Sequence, residues 1–199
     1  MSNALITAIK KRRTQYSLGR KLPLPQAEVE ALIKEAVRLA PSAFNSQSSR
    51  ITILFGAQSD KLWDIAKAEL RKIVPADGFA KTAEKLESFA AGAGTVLFYE
   101  DQNSVKELQK QFPLYADNFP VWSEQASGMA QFAVWAALAN VNIGASLQHY
   151  NPLIDSETAK TWAIPDSWKL RAQMPFGANE QPFPEKTFIS NAVRFKTFG

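Results

Sequence analysis

From residue 26 onward the apolar positions repeat with two alternating periods, and the switches between them lay out the elements. After Pro25, residues Val29, Leu32, Ile33, Ala36, Val37 and Ala40 recur every three to four positions. This predicts a helix opened by Pro25 and stopped by Pro41. ITILF (51–55) and GTVLFYE (94–100) are short runs rich in β-branched and aromatic residues, and they read as buried strands. Between them Leu62, Ile65, Ala66, Leu70 and Ile73 line one face of a helix over 59–74, with Ser59 or Asp60 as N-cap, and a second helix covers 80–90. A long helix is predicted over 116–140. Its second half, MAQFAVWAALA, is apolar nearly all round, so it belongs at the centre of the fold or between two subunits. IGASLQHY (143–150) reads as a strand or extended loop, a short helix follows near 156–163, and KLRAQMPFG (169–177) reads as a strand before a partly extended tail. At the other end Ala4, Leu5, Ala8 and Ile9 make a short amphipathic helix, and KLPLP an extended connection. Helices and strands alternate with helix in excess, which predicts an α+β fold around a central sheet, in a single domain over 1–199.

Composition narrows the chemistry. There is no cysteine, which removes disulfides, thiol nucleophiles, iron–sulfur clusters and thiolate zinc sites. The one histidine, His149, has no metal-ligating spacing around it, so no metal site is expected. No G-x-S-x-G elbow supports a serine hydrolase built on it. No apolar run reaches the length of a membrane span, so no membrane role is expected. MSNALITAI is followed rather than preceded by charges, which makes a poor secretory signal and points to the cytoplasm; a basic amphipathic targeting peptide is the alternative. The glycines of AAGAGTVLF precede their strand, whereas a dinucleotide fingerprint follows one, so they read as a helix stop.

The charge is uneven. The chain carries +4, yet residues 1–27 hold six Lys and Arg and no acid, so the remainder is net negative. One basic end is not the basic stripe that a nucleic-acid binder spreads over a domain face, and no aromatic platform or recognition helix stands beside it. Within KKRRTQYSLGRK (10–21), Lys10 to Arg13 sit at a helix C-terminal end, where they complement its dipole, and arginines also fit a phosphate through paired, charge-assisted hydrogen bonds. PSAFNSQSSR (41–50) is a loop in which seven of ten residues are Ser, Asn, Gln or Arg, suited either to capping a turn or to hydrogen-bonding a polyol, a heterocycle edge or a phosphate. GASLQHYNP (144–152) offers small residues for close approach to something flat, with Gln148 and His149 as polar contacts, or else a strand ended by a Pro turn. In the terminal NAVRFKTF, Arg194 and Lys196 point to one side if the segment is extended, which would also suit an edge strand guarded by charge.

Taken together and in order, RRTQYSLGRKLP, PSAFNSQSSR, SEQASGMAQFAVWAALANVNIGASLQHYNP and VRFKTFG resemble the nitroreductase superfamily, in particular its compact bacterial and fungal branch of nitroreductase-like and fatty-acid-repression-like proteins. The resemblance spans essentially the whole chain. It implies a nitroreductase-like fold, with a mostly antiparallel sheet surrounded by helices and two chains intertwined as a homodimer that binds FMN at the interface. Carried onto this sequence, Arg12, Arg13 and Thr14 would hold the FMN phosphate, and Arg194 and Lys196 would close that site. Ser42, Asn45 and Gln47 would reach the cofactor from the partner subunit. Ala145, Ser146 and Leu147 would lie along the flavin ring, with Gln148 and His149 at the substrate pocket. No side chain is then needed as the catalytic group, because the flavin N5 carries hydride from NADH or NADPH to the acceptor. The implied activity is ping-pong reduction of nitroaromatics or quinones. The alternative is a flavin-binding regulatory or stress-response protein, linked to lipid metabolism or oxidative stress, with incidental reductase activity.

Overall fold

The computed structural model describes residues 3–199. Its elements in chain order are α1 (Ala4–Lys11), β1 (Leu18–Gly19), α2 (Gln26–Leu39), β2 (Ser49–Phe55), α3 (Ala57–Arg71), α4 (Phe79–Ala90), β3 (Gly94–Asp101), α5 (Gln102–Gln111), α6 (Phe119–Asn140), β4 (Ile143–Ala145), α7 (Asp155–Trp162), β5 (Trp168–Asn179) and α8 (Asn191–Arg194). Short 3₁₀ turns cover Ala43–Asn45 and Pro113–Asn118. The sheet runs β1-β5-β3-β2, with β4 also paired to β5, and every pairing is antiparallel. The expected α+β class with a central sheet is the one observed. Among the described residues no helix is long and apolar enough to cross a membrane.

Alternation along β3 splits the interior into two cores. Val96 and Phe98 face α2 and α6, where they meet Val29, Ile33, Val134 and Leu138. Leu97 and Tyr99 face α3 and α4, where they meet Leu62, Trp63, Leu86 and Phe89. On β5, Leu170 belongs to the second core while Ala172, Met174 and Phe176 belong to the first, although all four have the same parity. A register shift explains this. Phe98 pairs with Ala172 but Tyr99 pairs with Leu170, so Arg171 is an extra residue that flips the strand's faces.

Three local expectations change. The helix expected over 59–74 begins at Ala57, after Gly56 at φ +50, so neither Ser59 nor Asp60 is its N-cap. Ser59 is buried against Thr95, Oγ to Oγ1 at 2.7 Å, and the Trp63 indole also donates to Thr95 at 3.0 Å. Asp60 pairs instead with Arg20 at 2.8 Å. The helix expected from 116 starts at Phe119. Helix α5, unforeseen, fills the stretch before it; it has only Val105 and Leu108 as apolar signal, but Asp101 caps it by accepting from Asn103 N at 3.0 Å.

In the second core the Tyr99 hydroxyl and Asp155 Oδ1 are buried without a hydrogen-bond partner. Burial raises the Asp155 pKa above its ordinary 3.8, against a smaller lowering by Lys169. A carboxyl raised on folding contributes stability below its unfolded value, and that contribution is lost as pH rises through the folded value. Asp155→Asn should therefore gain on the wild type in Tm as the pH rises from 3 to 7. A Tm difference that is flat across that range would contradict the burial cost.

Candidate functional site

Helix α1 ends at Lys11, and the chain then runs beside β4. Thr14 bridges Ala145, and the Gln15 N–H donates to the Ala145 carbonyl at 2.9 Å. Buried Gln15 ties this crossing down: its side chain donates to Gln181 O at 2.7 Å and accepts from Ser17 N at 3.0 Å. Gly144 is needed at the crossing, because a Cβ there would collide with Asn179 Oδ1 and press on Gln15. The geometry thus brings Arg12, Arg13 and Thr14 next to Ala145 and Ser146, residues more than a hundred positions away in sequence.

The two arginines have no acidic partner; among the described residues neither forms an ion pair. The Arg12 guanidinium lies over the Trp135 ring, 4.5 Å from its centroid. Arg13 lies by Phe183 and donates to the Pro184 carbonyl. Burial first, and then the neighbouring Arg13, hold Arg12 below the usual guanidinium range. Two neighbouring cations, both partly buried, are in deficit of negative charge. A cavity of about 330 Å³ beside Arg13 is lined by Lys10, Lys11, Asn140, Asn142 and Asn179 and by no acid. Asn179 Oδ1 and the Trp135 indole N–H are buried without partners. The sequence reading placed Trp135 only on the apolar helix and did not single out Asn179, because only the fold seats one under Arg12 and the other beside Gly144.

Beyond β4 the chain follows β5. Ser146 N donates to Pro175 O at 3.2 Å, and Gln148 and Gln173 exchange both backbone hydrogen bonds, at 2.7 and 2.9 Å. Leu147 is half-buried and His149 is exposed. The Gln148 side chain, expected at a substrate pocket, is buried and donates to Ser146 Oγ at 3.0 Å. It shapes this strip from within.

The loop carrying Ser42, Asn45 and Gln47 lies elsewhere. It joins α2 to the Ser49 end of β2, which pairs with Glu100, whereas Ala145 aligns through Phe176 with Gly94. The six steps of β3 between those rungs separate the loop from the Arg12 group by roughly 20 Å. Phe44, Asn45 and Gln47 all have positive φ, at 56°, 50° and 46°. For side chains larger than glycine each such residue costs of order 1–3 kcal/mol, so the surroundings must enforce the loop's shape. Ser42 Oγ accepts from Gln47 N at 2.9 Å. The Phe44 ring enters a nest of Phe112, Tyr115, Phe119 and Trp122, with centroids 4.8 to 6.0 Å away.

The tail corrects another expectation. Asn191–Arg194 is a helical turn, so Arg194 and Lys196 do not alternate along an extended strand. Both lie in an exposed tail, and no hydrogen bond ties either to the Arg12 group. Arg20, also in the basic end, is occupied with Asp60 and Ala90 O.

The sequence model of the Nitroreductase family matches residues 9–178. The nitroreductase FRM2 of Saccharomyces cerevisiae is 32% identical over 190 residues, covering 94% of each chain. Among solved structures, the nitroreductase CinD from Lactococcus lactis, in complex with chloramphenicol, superposes with a TM-score of 0.91 at 52% identity, over 98% of this chain and all of its own. A nitroreductase with bound FMN from Desulfitobacterium hafniense shares the fold at a TM-score of 0.73 and 15% identity, over the full length of both chains. A match that runs through the basic N-terminal end, the strained loop, α6 and the Ala145 strip leaves one conclusion: the chain belongs to the nitroreductase family and is a nitroreductase-type oxidoreductase.

Proposed function

We propose that this chain is an FMN-dependent NAD(P)H oxidoreductase for nitroaromatic or quinone acceptors, and that it works as a homodimer. The observation that carries the reading is the division of the site. One chain offers a cationic group beside a strip of small residues, and holds the matching polar loop roughly 20 Å away at the other end of its sheet. A second copy supplies the missing half.

The residues present fit FMN. Arg12 and Arg13 have no acid to neutralise them, and Thr14 adds a hydroxyl, so together they would hold the phosphate dianion. Ala145 and Ser146 are small and fully buried and Leu147 is half-buried, so a planar ring would rest against Leu147 and the backbone of this strip, which Gln148 braces from beneath. Ser42, Asn45 and Gln47 would supply hydroxyl and amide contacts from the partner. Arg194 and Lys196 would reach the phosphate once the tail settles against a second copy. Bound there, FMN would supply two-electron redox chemistry between a reduced nicotinamide and the acceptor. The chain's own residues bind, orient and exclude water.

Support for the dimer is apolar and exposed. Leu5, Leu32, Leu39, Met129 and Phe132 line a groove of about 550 Å³ between α1, α2 and α6. The tail displays Phe188, Val193 and Phe198, which are 71%, 79% and 90% exposed. Support for the acceptor class comes from CinD, solved with chloramphenicol and with 4-nitrophenol, both nitroaromatic, and with nicotinic acid, which shares the ring of nicotinamide.

The test is a visible spectrum of the purified protein followed by anaerobic addition of NADH or NADPH. Two flavin bands that bleach, and that return on adding 4-nitrophenol or a quinone, support the proposal. Bands that persist would favour the regulatory, flavin-binding alternative. A protein that neither carries nor takes up FMN would overturn both.

A further inference from the structure

Glu100 is fully buried at the end of β3, and its carboxylate is surrounded by hydroxyls. Ser48 Oγ and Ser123 Oγ donate to Oε2 at 2.5 and 2.9 Å, and Ser49 Oγ donates to Oε1 at 2.5 Å. Arg171, the bulge residue of β5, lies close enough to attract it while pairing with Glu124. The next residue, Asp101, takes Arg50 Nη2 at 3.1 Å, and the other end of that guanidinium donates to Gln47 O at 2.5 Å. Asp101 N also donates to Ser48 O at 2.9 Å. Two successive acids thus hold Gln47, Ser48, Ser49 and Arg50, the segment that closes the loop with positive φ at Phe44, Asn45 and Gln47.

A buried carboxylate is expensive to desolvate and a leucine would fill the space more cheaply; what the carboxylate offers in return is conformational definition. The loop is what stands to gain. Its internal hydrogen bonds, from Gln47 N to Ser42 Oγ and from Asn45 N to Ser42 O, do not anchor it to the sheet, and the Phe44 nest holds it only on the side of Phe112, Phe119 and Trp122. We infer that Glu100, assisted by Asp101, is a positioning residue: it clasps the 42–47 loop in its left-handed shape so that Ser42, Asn45 and Gln47 are preorganised to contact the cofactor of the partner subunit. This role rests on the FMN reading given above. Ser123 extends the clasp to α6, so the loop is fixed relative to the helix that carries the apolar groove.

The experiment compares wild type, Glu100→Ala, Glu100→Gln and Arg50→Ala in two measurements. The first needs no flavin: native-state chymotrypsin cleavage of the apoprotein after Phe44, which is 49% exposed within the loop. The second is FMN titration. Glu100→Ala should speed cleavage and weaken FMN binding by about tenfold each. Glu100→Gln should restore both to within about threefold, because serine hydroxyls both donate and accept and can re-pair with an amide. Arg50→Ala, which leaves the buried carboxylate untouched, should move both in the same direction as Glu100→Ala and carries the test if that variant does not fold. Cleavage and affinity unchanged in Arg50→Ala and Glu100→Ala would overturn the clasp. Faster cleavage with unchanged FMN affinity would overturn its positioning role. A Glu100→Gln variant as weak as Glu100→Ala would show that charge, and not the hydroxyl network, is what matters, and would overturn the clasp as drawn. Wild type that takes up no FMN would sink the cofactor reading, while the proteolysis still decides whether Glu100 shapes the loop.

Discussion

Arg12→Ala combined with Arg13→Ala should yield a folded protein that purifies without flavin. Each arginine is expected to make at least one charge-assisted hydrogen bond to the phosphate, and such bonds contribute about 1.5–3 kcal/mol apiece, so losing both weakens FMN binding by about a hundredfold or more. Among the described residues neither arginine pairs with an acid, so removing the two breaks no ion pair there. What is lost is the stacking of Arg12 on Trp135 and the contact of Arg13 with Pro184 O. Thermal melting of the apoprotein separates that structural part from the binding part. Lysine at both positions should recover only some of the affinity, because a point charge lacks the guanidinium's paired geometry. Flavin content equal to wild type in the double alanine variant would remove Arg12 and Arg13 from the phosphate site.

Phe132→Asp should give a monomer that also loses FMN. Phe132 is 41% exposed on the groove face of α6, where it neighbours Met129, Ala133 and Ala136. A carboxylate buried there on association would have no partner, and an unpaired buried charge costs several kcal/mol, enough to dissociate an ordinary dimer. Phe132 is a cleaner choice than Trp135, which lies under Arg12 and would confound interface with phosphate site. Flavin loss follows from geometry, since the loop bearing Ser42, Asn45 and Gln47 cannot reach Ala145 of its own chain across roughly 20 Å of sheet. Analytical ultracentrifugation and an FMN titration on one sample decide it. A monomer that binds FMN as wild type does would mean that one chain completes its own site. An undisturbed dimer would move the interface off this face.

The sequence by itself determined the class of fold, the positions of the main elements and the segments that matter. Periodicity is a local property, so α2, β2, β3, α6 and β5 could be read from the spacing of apolar residues, and the basic end and the polar loop stood out by composition. Where apolar signal was thin, as in α5, or where a side chain preferred a tertiary partner to a cap, as Ser59 prefers Thr95, local reasoning failed. The tertiary structure alone decided what faces what. The pairing of Thr14 with Ala145, the seat of Trp135 beneath Arg12, and the separation of the 42–47 loop from both depend on strand order and register. Glu100 shows the difference most clearly. In the sequence it is one acid closing an apolar strand, a faint sign of something to be satisfied. Its role needs antiparallel pairing to set Ser49 opposite it and α6 to bring Ser123 from 23 positions away. Hydrogen bonds act over a few ångströms of space whatever the distance along the chain, so their partners emerge only once the chain has folded.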